Sequence, residues 1–162
     1  MPQFVLAQWR AELQHLPTRE SDLERRKRID AYLDRGYGSC FLQDPRVAAM
    51  MQEALLYFDR ERYGLHAWCV MPNHVHTLLT PKASWGLGQI AHSWKSFTAH
   101  EANKLLNRSG EFWQTEPFDR YIRNEQHFRN AVAYIENNPV KAGLCAQPED
   151  WLWSSARWRK GY

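Results

Sequence analysis

Several things are scarce in this sequence, and each shortage excludes something. Cysteine is rare: Cys40, Cys69 and Cys145 are odd in number, far apart and without CxxC spacing. That argues against a disulfide framework or a cysteine zinc site, and sets the expectation of a reducing compartment. No apolar run approaches the roughly 20 residues of a membrane-spanning helix, so no membrane partner is expected. The opening MPQFVLAQWRAELQ lacks a basic region followed by an apolar stretch. A signal peptide is therefore not expected, and a cytoplasmic location is. Excess charge is lacking too, with 21 Lys and Arg against 18 Asp and Glu, a formal +3. Such a balance permits a nucleic-acid partner without arguing for one.

What is present fits a single globular domain. The chain has 162 residues, long enough for one real core, and no internal repeat or low-complexity linker divides it. Aromatics reach 14% with eight Trp, which leaves rings for stacking as well as packing. Leu6, Trp9, Leu13 and Leu16 recur at helical spacing. Ser21 with Glu24 forms a capping-box pattern that predicts a second helix to about Asp34. Its RRKR run, Arg25 to Arg28, is diluted by acidic neighbours and reads as a solvated face. Glycines at 36 and 38 precede a predicted short strand over Ser39 to Leu42. Asp44 and Pro45 then signal a helix start, and Val47, Met50, Met51, Ala54, Leu55 and Phe58 form its core stripe.

Leu65–Met71 and His74–Thr80 read as an antiparallel hairpin turned by Pro72-Asn73. Leu87, Ile90, Ala91, Trp94 and Phe97 mark another helix, and Phe118 to Arg123 suggests a strand. Asn124 caps a last helix expected to stop near Asn137 before Pro139. Strands and helices mixed around an antiparallel pair predict an α+β sandwich.

Two short patterns carry possible chemistry. In MPNHVHTLL, strand alternation points His74 and His76 to one face. They are either half of a metal site or two polar residues on a wet face. In NEQHFRNAVAYIENNPV, Phe128, Ala131, Val132 and Ile135 form the core stripe. At about 100° per residue, Tyr134 lies roughly 60° beyond it, with Asn138 and His127 on the same flank. Tyr134 and Asn138 can equally be a boundary tyrosine and a C-terminal cap. Taken together, two imidazoles and a carboxamide suit a divalent metal of intermediate hardness with room for phosphate oxygens. A phenol beside it could act as nucleophile and keep the bond energy in a phosphotyrosine ester.

The stretches AWCVMPNHVHTLL, SWKSFTAHEANKLL, GEFWQTEPFDRYIR, YIENNPVKAGL and PEDWLWSSA, within about Asp44 to Ser155, resemble the REP-associated tyrosine transposases. These are single-tyrosine HUH transposases related to insertion-sequence transposases. The resemblance implies a ferredoxin-like or RRM-like sandwich whose central antiparallel sheet carries the His-x-His pair. It implies cutting and rejoining of single-stranded or hairpin DNA with Mg²⁺ or Mn²⁺, through a covalent 5′-phosphotyrosine. By position, His74 and His76 match the paired histidines, Tyr134 the nucleophile and Asn138 the third metal ligand. One departure stands out. Family members often open with a clear strand, where this chain has two amphipathic helices, and SCFLQ is the segment left to serve as it.

Other residues carry weaker signals. Lys95 is a candidate phosphate contact, and Arg120 and Arg123 flank Tyr121 in a basic-aromatic mixture suited to DNA. Each is balanced by an ordinary solvated face. His66, on the neighbouring strand, could support a ligand from behind. His92, His100 and His127 read as surface or capping residues. Trp151, Trp153 and Trp158 are expected to cover the core, with Arg157, Arg159 and Lys160 as a basic tail. The chain is thus read as a helical extension (1–36), a catalytic core (37–155) and a tail (156–162). The expected function is a metal-dependent single-tyrosine endonuclease and strand transferase, with a homodimer left open. The alternatives are a domesticated DNA-binding protein that recognises repeated palindromes without cutting, and a replication-initiator-like nicking protein.

Overall fold

A computed structural model describes residues 3–113 and 121–159. Its elements run α1 (Gln3–Glu12), α2 (Thr18–Asp34), α3 (Pro45–Tyr57), β1 (Tyr63–Val70), β2 (Val75–Pro81), α4 (Leu87–Leu105), α5 (Glu125–Lys141) and α6 (Ala156–Arg159). The expected α+β sandwich is there. β1 and β2 form an antiparallel hairpin with Val70 opposite Val75 and Cys69 opposite His76. Alternation along the strands sends Trp68, Val70, Val75 and Leu79 to one face, where α3 and α4 complete a core around Leu55, Ile90 and Trp94. Ala67, Cys69, Met71 and Leu78 face the other way and pack under α5 with Ile135. A bulge in β1 makes both faces work. The register shifts between Leu65 and Ala67, so His66 is the extra residue. Without it, Leu65 and Val70 could not share a face.

The C-terminal segment lies along the outer edge of β1. Val70 N–H donates to Trp153 O at 2.8 Å and Ser155 N–H to Trp68 O at 3.0 Å. Trp151 and Trp153 are half-buried against the two cores, as expected, whereas Trp158 is 53% exposed and touches Trp68 edge-on. β1 is therefore central, and the far edge of β2 has no strand partner among the described residues.

Local signals explain most boundaries. Asp44 caps α3, its carboxylate accepting Arg46 N–H at 2.9 Å, and the Arg46 guanidinium beside it holds its pKa down at about 2. Four expectations need correction. The strand over Ser39–Leu42 is absent: Phe41–Gln43 is a 3-10 turn, with Gln43 N–H on Cys40 O at 3.0 Å. A lone strand there would leave backbone groups unpaired, and the turn satisfies some of them locally while burying Leu42. SCFLQ thus supplies no opening strand. α2 begins at Thr18, ahead of the Ser21 pattern, because Pro17 O already accepts from Glu20 and Ser21.

In α4 the buried stripe runs Ile90, Trp94, Thr98, Ala102, and Phe97 stays 52% exposed. Finally, Pro139 does not stop α5, which continues to Lys141. Proline removes its own N–H bond to the preceding turn and crowds the carbonyl four residues back, a local disruption after which the helix runs on for two residues. The helix ends instead at Gly143 (φ +71), where Leu144 N–H reaches Pro139 O and Gly143 N–H reaches Val140 O. Of the predicted strand over Phe118–Arg123, residues 118–120 lie outside the described residues and 121–123 form no regular element.

Candidate metal centre and nucleophile

The hairpin tip closes when Met71 N–H donates to His74 O at 2.9 Å across Pro72-Asn73. His74 and His76 then project from the α5 face of the sheet. Their Nε2 atoms lie 2.9 Å apart, with the ring planes at 89°. α5 crosses this face and delivers Asn138, which is fully buried, its carboxamide nitrogen 3.0 Å from His76 Nε2. His76 Nε2 is therefore where the two sequence motifs meet. His74 is only 8% exposed and His76 is half-buried, so the pair does not lie on an open, wet face. Asn138 is no helix cap, since its side chain points at His76.

The donor set fits a cation. Burial, with His76 beside it, pushes His74 down to about 3. Burial, with the Lys141 ammonium nearby, pushes His76 down to about 4. Both imidazoles are neutral at neutral pH, the form that binds metals. Asn138 Oδ1 is buried with no hydrogen-bond partner, and a half-turn of the carboxamide would put this oxygen beside His76 Nε2. Two ligands about 2.1 Å from an octahedral cation and at right angles lie about 3 Å apart. The separations of 2.9 and 3.0 Å match that spacing. Among the described residues no three His, Cys, Asp or Glu side chains converge, so a cation held here would need the Asn138 carboxamide beside the two imidazoles.

Tyr134 stands one turn before Asn138. Its ring lies 5.5 Å from the His76 ring, and Lys141 Nζ lies 4.8 Å from its centroid. A groove of about 490 Å³ passes the unpaired edge of β2 and is lined by Asn73, His74, His76, Lys95, Phe112 and Trp113, among others. Lys95 is thus brought to the same opening as the histidines, and burial lowers its pKa. Arg123 is exposed at the start of α5, where its N–H donates to His127 Nδ1, and it does not line the groove. Arg120 lies outside the described residues. His66 is not behind either ligand: it bonds Thr80 Oγ1 at 2.8 Å and packs on Phe128.

Sequence reasoning missed two residues. Lys141 was legible as the position seven after Tyr134, on the same side of a helix that was expected to end earlier. Asn73 was read only as a turn residue, yet its Oδ1 lies 2.7 Å from His74 Nδ1.

A family model described as "Transposase IS200 like" matches residues 42–138. The chain belongs to this family. The span matched to the IS200-like transposases takes in His74, His76, Tyr134 and Asn138 and leaves out α1 and α2. A REP-associated tyrosine transposase of Escherichia coli is 33% identical over 111 residues, 65% of this chain and 62% of its own length. A relative from Haemophilus influenzae is 29% identical over 99 residues, 55% of this chain and 56% of its own. The chain thus spans less than two thirds of the length of these curated relatives. A solved structure, a REP-associated tyrosine transposase bound to a REP hairpin, is similar with TM-score 0.63 and 28% identity, over 75% of this chain and 70% of that one. No helix among the described residues is long and apolar enough to cross a membrane.

Proposed function

We propose that this IS200-like transposase cuts and rejoins single-stranded DNA next to a hairpin, with Tyr134 as nucleophile. The observation that carries the reading is the convergence of His74, His76 and Asn138 beside the Tyr134 ring. The solved relative was bound to a REP hairpin, which makes hairpin DNA the substrate class to test. In the step itself, Tyr134 Oη attacks the phosphorus of a phosphodiester and loses its proton to solvent. The bond from phosphorus to the 3′ oxygen breaks, and that oxygen takes a proton from solvent and departs as a free 3′-hydroxyl. The DNA 5′ end remains on the protein as a phosphotyrosine, and attack by a 3′-hydroxyl reverses the step.

His74, His76 and Asn138 would hold Mg²⁺ or Mn²⁺, which supplies polarisation of the phosphate and offsets charge that develops on attack. Lys141, whose ammonium lies over the Tyr134 ring, would favour the phenolate that forms as the phenol proton leaves. Lys95 offers a cation to phosphate along the groove.

The deciding test compares two tyrosines. Tyr134→Phe should keep Mn²⁺ and hairpin-DNA binding but lose both cleavage and the covalent adduct, since only a hydroxyl is removed. Tyr121, 84% exposed and with no candidate metal ligand beside it among the described residues, should be dispensable, so Tyr121→Phe should still cleave. Mass spectrometry of the trapped protein–DNA peptide reads the answer. An adduct on any other tyrosine would overturn the assignment. Binding to hairpins with no cleavage by the wild-type chain would make the protein a non-cutting binder.

A further inference from the structure

The Asn73 side chain is used in both directions at once. Its Nδ2 donates to Leu33 O and to Tyr37 O, each at 2.9 Å. Both amide protons are therefore committed to carbonyls, and the amide can be turned only one way. Its Oδ1, 2.7 Å from His74 Nδ1, can only accept, so His74 Nδ1 must carry the ring proton. The lone pair is left on His74 Nε2, the atom that faces His76. One side chain selects the tautomer and the ring orientation of a metal ligand.

The other end of this arrangement belongs to the helical N-terminal segment. Leu33 lies in the last turn of α2, where its carbonyl accepts Gly36 N–H at 2.8 Å and has a second lone pair left for Asn73. Gly36, at φ +76, reverses the chain there, a conformation that glycine adopts without strain. The reversal brings Tyr37 O to the same amide that caps Leu33 O. Residues 33–37 thus wrap the hairpin tip through Asn73, in a segment that lies outside the span matched by the family model.

We infer that Asn73 is a positioning residue that couples the N-terminal helical segment to the metal ligand His74. The inference rests on the reading of His74 as a ligand. Coupling between two sites is reciprocal. A segment that holds His74 ready for a cation is itself held more firmly when the cation is bound.

The test uses the full chain, with Mn²⁺ as the probe. Calorimetry gives Mn²⁺ affinity, and amide hydrogen exchange over residues 33–38 gives the hold on the segment. In the wild type, Mn²⁺ should slow exchange in this stretch. Asn73→Ala should weaken Mn²⁺ binding by about 10–100-fold, the usual effect of losing an outer hydrogen-bond partner, and speed exchange over 33–38. Asn73→Asp separates the two roles. It keeps an acceptor for His74 Nδ1–H but faces the Leu33 and Tyr37 carbonyls with oxygen, so Mn²⁺ affinity should fall less than in Asn73→Ala, while exchange speeds up and Mn²⁺ no longer slows it. A merely structural turn residue would show no such rescue.

Wild-type Mn²⁺ binding with an unchanged Asn73→Ala affinity overturns this inference alone, as does Mn²⁺ binding without slower exchange. Wild-type protein that binds no Mn²⁺ overturns the metal reading and this inference with it. Should Asn73→Ala fail to fold, the wild-type exchange measurement and the Asp variant decide.

Discussion

Asn138 is an uncommon place to find a carboxamide: fully buried, with its oxygen lacking a partner. A buried polar atom without a hydrogen bond costs stability, so its persistence points to a role beyond packing. Asn138→Asp keeps the shape and changes the charge, which makes two opposite effects visible in one variant. Without metal, the buried carboxylate should lower Tm relative to wild type. With Mn²⁺, the negative ligand should bind more tightly, and the metal-induced rise in Tm should exceed the wild-type rise. Calorimetric melts with and without Mn²⁺ measure both, and a Tm that ignores Mn²⁺ in this variant would remove Asn138 from the site. His76→Ala should lose more Mn²⁺ affinity than Asn73→Ala, because it deletes a proposed ligand, whereas Asn73→Ala removes only the support of the other one, His74. Isothermal titration of the two variants side by side checks the order.

Elements place these residues, and one buried tyrosine shows how they are tied together. Tyr63 opens β1 fully buried, donates its hydroxyl to Leu55 O on α3 at 2.7 Å and accepts from Trp94 Nε1 on α4 at 3.0 Å. Three elements share one hydroxyl. Tyr63→Phe leaves the Trp94 N–H unpaired in the core and should cost about 1–3 kcal/mol of stability, read as a shift of the urea midpoint with unchanged slope. The site lies on the other face of the sheet, so Mn²⁺ affinity of the folded variant should not change. α5 teaches a different lesson. Its amphipathic stripe and its Asn124 cap, which accepts His127 N–H at 2.8 Å, are legible in the sequence. Its end is not, because Pro139 falls in the last turn, where few helix bonds remain to break. The extra turn is what brings Lys141 back over Tyr134.

For the whole molecule, the catalytic candidates come from two distant stretches of one chain, brought together on a sheet that is two strands wide among the described residues. The C-terminal segment braces that sheet. Ser155 Oγ accepts Trp68 N–H at 3.1 Å and donates to Glu136 at 2.6 Å, and Arg159 Nε donates to the same carboxylate. Arg159, though half-exposed, is therefore tied to Glu136 and not a free member of a basic tail. With a net charge of only +3, affinity for DNA should depend on a local surface around the groove and on stacking with its rings. Binding to a hairpin with a single-stranded flank should exceed binding to a random duplex of equal length, and should weaken as salt rises. Fluorescence anisotropy over a salt series tests this, and equal affinity for both DNAs would count against the proposed partner.

The sequence alone determined what is written in short-range spacing. The turn at Pro72-Asn73, the alternation that pairs His74 with His76, the Asp44 and Asn124 caps, and the helical interval from Tyr134 to Asn138 all follow from periods that local geometry imposes. Only the tertiary structure decided where those local pieces meet. No periodicity says that α5 crosses the histidine face, that His74 is buried, or that Leu33 and Tyr37 reach Asn73. Those outcomes depend on which apolar faces bury against each other, a competition over the whole chain. The same competition turned SCFLQ from a strand into a 3-10 turn. A strand needs a neighbour with a free edge, and burial of Leu42 beneath α3 did not require one.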